Sequence, residues 1–331
     1  MKNNFKKCRE QSGFALVGTL LLMALIGMLT LSATALIQYS NAQISVSCDL
    51  SRSFYAAESA VNRTIMALYR DIRMHPDRKL GQTDYAMTGT ERYLADSVVH
   101  EYTIDDRLLR TWITDANSGI DVSSHAPEQN LREAFREIIG NDANAQEELE
   151  YFLDKVTDYI DSDDFVGTRG MESMHYRLQG IPALPRNGAL QFREELLSIP
   201  DAKKYLHLDE TGLLSMIRVI PPDELRKTAG RMNLYAAPLA LLRAGARMND
   251  EESEEFKSAL RQWRIDRKRL SDTLDPALYS RLSGAFSMHE TGIYVISADS
   301  AMIDYPGRRL SVMLRIDSLG PVLEFYEFRV Y

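Results

Sequence analysis

No charged residue occurs between Phe14 and Cys48, and the stretch from Phe14 to Ile37 is mostly Leu, Ala, Met, Ile and Val. At about 1.5 Å per helical residue such a run exceeds the roughly 30 Å hydrocarbon core of a bilayer. A buried helix of a soluble protein seldom runs so long without a charge, so the run reads as a transmembrane helix. Lys2, Lys6, Lys7 and Arg9 precede it, whereas Asp49 and Arg52 are the first charges after it. Positive charge on the amino-terminal flank keeps that end cytoplasmic and sends the remainder outward. A secretory signal would end in a small-residue cleavage site after the apolar region, but here the helix continues through Gln38, Asn41 and Gln43. That favours processing before the run rather than after it.

The helical pattern outlives the membrane. Phe54, Val61, Ile65, Leu68 and Ile72 form one apolar stripe, opposite Glu58, Asn62 and Arg63. It stops at His75-Pro76, where proline pushes the preceding residue out of the helical region. One helix of about 60 residues, about 90 Å long, is therefore expected, with its first half (14–47) in lipid and its second (48–75) free to pack on a sheet.

Strand signals lie at both ends of the remaining chain. Val98 to Ile104 and Leu108 to Ile113 read as a hairpin turning at Asp105-Asp106, within a strand region 97–119. In the carboxyl-terminal region, 290–331, Leu310, Val312, Leu314 and Ile316 alternate with Ser311, Met313, Arg315 and Asp317, the period of a half-buried strand. Val322 to Tyr331 supplies a partner and Ile293 to Ser297 a third strand. Between the two regions lie about 170 residues of mostly helical pattern, far more than an ordinary loop. They read as an inserted helical region, 120–285. Within it Asn249 or Asp250 caps a helix that is acidic at its start and basic toward its end, which suits the helix dipole. Phe256, Leu260, Trp263 and Leu270 form its apolar face, and its basic end reads as a solvated face rather than a membrane patch. The fold class is α+β: a long N-terminal helix on a small antiparallel sheet, interrupted by helices.

Several function classes are disfavoured. A net charge of −8 and a pI near 5.4 give nucleic acid no attractive field. The six histidines are scattered, with no HExxH spacing, and there is no GxSxG, Walker or GxGxxG motif. The expectation is a protein that is not an enzyme, with an anchored periplasmic hydrolase as the rival class. Cys8 and Cys48 are the two cysteines, and processing before Phe14 would leave Cys48 without a partner.

Gln11-Ser12-Gly13-Phe14-Ala15-Leu16-Val17 resembles the leader site of prepilin-like proteins, which implies cleavage between Gly13 and Phe14 by the prepilin peptidase, removing 1–13, and N-methylation of Phe14. Gly18 stands where most such proteins carry Glu, a departure typical of the K-type minor pseudopilins of type II secretion. Asp158-Tyr159-Ile160-Asp161-Ser162-Asp163-Asp164, then Gly170-Met171-Glu172, Tyr176, Asn187 and Glu195-Leu196, resemble the signature of that family, with Tyr159 for its Trp and Met171 for its Ala. Gly230 to Pro238 resembles a second family segment through Asn233 and Pro238. Gly119-Ile120-Asp121-Val122, a weaker match, and Arg231-Met232-Asn233-Leu234 head what could be two related helical modules.

The resemblance implies a pilin-like fold and a single-pass inner-membrane protein with a large periplasmic domain. It implies I- and J-type minor pseudopilins, other pseudopilins and the inner-membrane assembly platform as partners, in a pseudopilus that exports folded proteins. Membrane is a partner and nucleic acid is not. A minor pilin of a type IV pilus is the alternative, since Ser53-Phe54-Tyr55-Ala56-Ala57-Glu58 resembles the start of some such pilins. In the acidic segment 158–176 the residues themselves leave two readings open, a solvated turn capped by Asp161 or a calcium loop. The resemblance implies structural calcium on Asp161, Asp163, Asp164 and Glu172. Asp158, three residues before Asp161, could still lie on the preceding helix.

Overall fold

The computed structural model describes residues 4–76, 78–81, 92–104, 107–122, 127–181, 185–208, 214, 216–219, 231–300, 307–316 and 323–330, with side chains from Leu16 onward. Helix α1, Asn4–Met74, is continuous over 71 residues. Leu16, Leu20, Leu21, Leu29 and Leu36 are fully displayed on its surface, as a lipid-facing segment requires. Past Ser51 the same helix becomes one-sided. Ala57, Ala60, Val61, Ile65, Leu68 and Ile72 are buried, while Asn62 and Arg63 are exposed.

The buried side of α1 lies on an antiparallel sheet of order β1-β2-β5-β6-β7. Its strands are β1, Val99–Ile104, and β2, Arg107–Asp115, followed after the helical region by β5, Ile293–Asp299, β6, Arg309–Ile316, and β7, Leu323–Val330. The period of two sorts each strand between two faces. Leu109 and Ile113, Tyr294, Ile296 and Ala298, and Leu310, Val312 and Leu314 pack under α1. Arg110, Trp112, Ser297, Arg309 and Ser311 face the other way, toward the helical region. The Asp105-Asp106 turn of the expected hairpin lies outside the described residues; its strands pair antiparallel, with Val99 opposite Trp112 and Ile104 opposite Arg107.

Between β2 and β5 the chain builds two further cores. The first begins with β3, Ile120–Asp121, and holds α2, Pro127–Ile139, α3, Ala143–Ile160, α4, Ser173–Leu178, a 3-10 turn, Arg193–Ser198, and α5, Ala202–Tyr205. It closes on β4, Ile217–Arg218, which pairs in parallel with β3. Leu131, Phe135, Leu149, Phe152, Val156 and Leu196 fill its interior. The second holds α6, Leu239–Gly245, α7, Asp250–Asp266, α8, Leu270–Thr273, and α9, Pro276–Ala285, around Tyr235, Phe256, Trp263, Leu278 and Leu282.

Local chemistry explains the helix starts. Asp142 Oδ1 accepts from Asn144 N at 3.0 Å to open α3. Asn249 and Glu252 form a reciprocal capping box at α7, at 2.8 and 3.0 Å, with Asn249 rather than Asp250 as the cap. Asn233 joins the second core to the sheet: its backbone N donates to Asn117 O at 3.0 Å and its side chain to Asp115 Oδ2 at 3.2 Å.

Candidate functional site

Helix α3 delivers the acidic segment to a specific place. Its apolar residues Leu149, Phe152, Leu153, Val156 and Tyr159 are buried in the first helical core. This fixes the rotation of the last turn and leaves Asp158 facing the chain that folds back over it. Asp158 is 3% exposed although it lies on the helix itself. Its carboxylate accepts from Gly167 N at 3.0 and 3.2 Å.

The returning loop fits only because Gly170 has no side chain. A Cβ there would stand 1.9 Å from Asp158 Oδ2, and one at Gly167 would stand 2.7 Å from Oδ1. Two residues past Gly170, Glu172 precedes α4 and is buried.

Ligand atoms of Asp158, Asp161 and Glu172 lie within 4.8 Å of one another. Asp161 Oδ1 and both carboxylate oxygens of Glu172 are buried without a hydrogen-bond partner, and among the described residues no cation pairs with any of the three acids. Burial pushes all three carboxyls above their ordinary range, and neighbouring carboxylates add to it: Asp154 and Asp163 on Asp158, Asp163 and Asp158 on Asp161, and Asp158 and Asp161 on Glu172. The negative end of the α3 dipole bears on the same spot, with no basic residue in the last turn of the helix to offset it.

These features are unfavourable for three carboxylates alone and favourable for a small divalent cation, because orphaned oxygens at a helix C-terminus are ready ligands. The residues therefore fit a calcium ion.

The sequence expectation and this geometry differ in membership. Asp161 and Glu172 belong to the cluster, and Asp158 joins them from the helix. Asp163 and Asp164 stand outside it: Asp163 Oδ1 accepts from Phe165 N at 2.9 Å, and Asp164 Oδ1 from Asn187 Nδ2 at 3.3 Å. Their charges still bear on the cluster, Asp163 on Asp158 and Asp161 and Asp164 on Glu172. The signal that could have placed Asp158 was the pair Gly167 and Gly170, the room needed for a chain to close over a helix end.

The remaining signature residues frame the cluster. Tyr159, Met171, Tyr176 and Leu196 are core side chains. Backbone N–H groups of Arg186 and Asn187 donate to Tyr159 O at 2.8 and 3.1 Å, and Arg186 pairs with Glu195 at 3.0 Å. Asn187 takes a left-handed φ of 51° and reaches Asp163 O and Asp164 with its amide.

Residues 112–210, which contain the whole cluster, match the family model for type II secretion system protein K, first domain. That segment, 99 of the 331 residues, is similar to the protein K family. The acidic cluster lies inside the matched segment. A chain of the solved GspK-GspI-GspJ complex of the enterotoxigenic Escherichia coli type 2 secretion system is similar in fold, with a TM-score of 0.54 and 13% identity, over 87% of this chain and 99% of that one. A comparison with curated proteins finds no match.

The leader residues lie at the other end of the molecule. Gly13 and Phe14 fall inside α1, their side chains outside the described residues. At Gly18 an added Cβ would meet nothing within 4 Å.

Proposed function

We propose that this chain is a minor pseudopilin of a bacterial type II secretion system, held in the inner membrane by the first half of α1 with its head in the periplasm. The observation that carries this reading is the conjunction of a segment similar to protein K at 112–210 with a helix whose exposed, apolar first half is long enough to cross a membrane and whose second half packs on the sheet. Neither a cytosolic enzyme nor a signal-sequence protein needs one helix to serve both environments.

In this reading the prepilin peptidase cuts between Gly13 and Phe14 and the new amino terminus is methylated. The chain then joins I- and J-type minor pseudopilins, other pseudopilins and the assembly platform to start a fibre that drives folded proteins across the outer membrane. β7 offers surface for such partners, since Phe325 and Phe328 are 60% and 55% exposed beyond the cover of α1. A calcium ion held by Asp158, Asp161 and Glu172 would supply the missing positive charge and lock the returning loop onto α3, a structural role with no reaction attached.

The absence of a carboxylate at Gly18 supports a position at the tip. An amino-terminal ammonium in lipid needs a carboxylate partner, and a chain without that carboxylate has nothing to offer a subunit ahead of it. Its own Phe14 amine can still recruit the subunit behind. The bulk of two helical cores by itself also excludes the head from stacking along a shaft, so Gly18→Glu alone does not move it.

Amino-terminal sequencing of protein from membranes tests the first step: the mature chain should begin Phe-Ala-Leu-Val, and a chain still starting at Met1 would overturn the pseudopilin reading. Gold-labelled heads should mark one end of isolated fibres, in Gly18→Glu as in the unmodified chain. Heads spaced along the shaft would refute the tip assignment.

A further inference from the structure

The face of the sheet opposite α1 turns toward the helical region and touches it where Arg329 of β7 ion-pairs with Glu194. Elsewhere a cleft of about 880 Å³ separates them, floored by Trp112, Ser297 and Ser311 and walled by Pro238, Phe256 and Leu260. Its charged lining is mostly cationic on a chain whose net charge is −8. Arg110 on β2, Arg309 on β6 and Arg329 on β7 rise from the floor, Arg110 beside exposed Glu101 at 3.4 Å and Arg329 held by Glu327. Arg218 on β4 and Arg261 on α7 face them from the wall.

Some of this charge is unsatisfied. Arg218 Nε and Nη1 are buried with no hydrogen-bond partner, its nearest ion-pair contact being Asp121 at 3.9 Å. Arg309 holds Asp299 at 3.0 Å through Nη2, but its Nε is likewise buried and unpartnered. Arg261 is exposed at the rim, and its neighbour one turn earlier, Lys257, holds Glu254 in a pair exposed on both sides. Buried guanidinium donors left open cost stability unless an acceptor arrives. Low-dielectric walls focus the field of such a cleft on approaching anions.

Spacing decides the kind of anion. In the order β2-β5-β6 the cations Arg110 and Arg309 stand two strands apart, about 10 Å at the usual strand spacing. No single small anion bridges that distance. An extended peptide rises about 3.3 Å per residue, so three or four residues span it, with carboxylates meeting Arg110, Arg309 and, from the wall, Arg261. We propose that this cleft binds an extended acidic polypeptide segment from another protein. The cleft would do so whether or not the chain works in secretion, and the acidic cluster on α3 takes no part.

The test uses the full chain in a neutral detergent and a fluorescein-labelled hexaglutamate peptide, followed by anisotropy and by the emission of Trp112. Saturable binding is expected, weakening as salt rises, with hexalysine inert. The variant Lys257→Glu/Arg261→Glu, whose side chains are at the solvent rim, should weaken binding at least tenfold while its thermal melt stays unchanged. In Trp112→Phe the emission change should vanish while the anisotropy titration persists. Absence of saturable binding, or equal affinity in the charge-reversed variant, would overturn the proposal. Displacement of the peptide by millimolar inorganic phosphate would overturn it too, since the site would then take free anions.

Discussion

Two buried groups of charges in this molecule make opposite arrangements. Where α1 ends, Asp71 and Glu290 meet Arg78 and Arg92. Arg78 Nη1 donates to Asp71, Arg78 Nε to Glu290 at 2.5 Å, and Arg92 Nε to Asp71 at 2.5 Å, and Ala95 N and Tyr294 OH complete Glu290 at 2.7 and 2.9 Å. Two carboxylates face two guanidiniums, and this balanced network ties the stalk helix to the connection after it and to the start of β5. At the end of α3, Asp158, Asp161 and Glu172 meet no cation among the described residues. A folded protein tolerates the first because its charges cancel internally. The second has no such internal balance among the described residues, which is the ground for proposing that it takes a cation. The balanced group reads as architecture, and the unbalanced one is the proposed cation site.

The largest effect should come from unbalancing the balanced group. Arg78→Ala leaves Glu290 buried with the Ala95 N–H and the Tyr294 hydroxyl as its partners among the described residues, which should cost about 3–5 kcal/mol in denaturant unfolding. A loss under about 1 kcal/mol would erase the distinction between the two groups.

Calcium should act on the other group alone. At 100 times its Kd the ion should stabilise the head by about 2.7 kcal/mol over chelator, seen as a raised Tm. Asp158→Asn/Glu172→Gln should abolish that shift and Asp163→Ala/Asp164→Ala should keep most of it; the reverse result would restore the membership expected from sequence. Gly170→Ala should also abolish the shift, because its Cβ would occupy the place of Asp158 Oδ2.

The smallest effect is in pH. The cluster carboxyls hold their protons to higher pH in the folded chain than in the unfolded one. Their stabilising contribution is thus full below the unfolded values near 4 and is lost as pH rises through the raised folded values. In chelator, stability should fall over that window more in the unmodified chain than in Asp158→Asn/Glu172→Gln, and calcium should flatten the fall. Equal slopes with and without the two substitutions would show that the cluster is not strained.

The sequence by itself determined whatever depends on neighbours along the chain. The anchor and its turn to a one-sided stalk follow from Phe14 to Ile72, the strands from the alternation at Leu310 to Ile316, and the start of α7 from Asn249 and Glu252. Each is a short-range property, set by backbone period and by hydrogen bonds a few residues apart. The tertiary structure decided what depends on how distant segments close. It chose Asp158 over Asp163 and Asp164, because membership turns on a loop folding back across a helix end over Gly167 and Gly170. It brought Asp71 to Glu290, and it set Arg110, Arg218 and Arg329 around one cleft. Such meetings have no period along the chain, because they are fixed by how segments far apart in sequence close on one another.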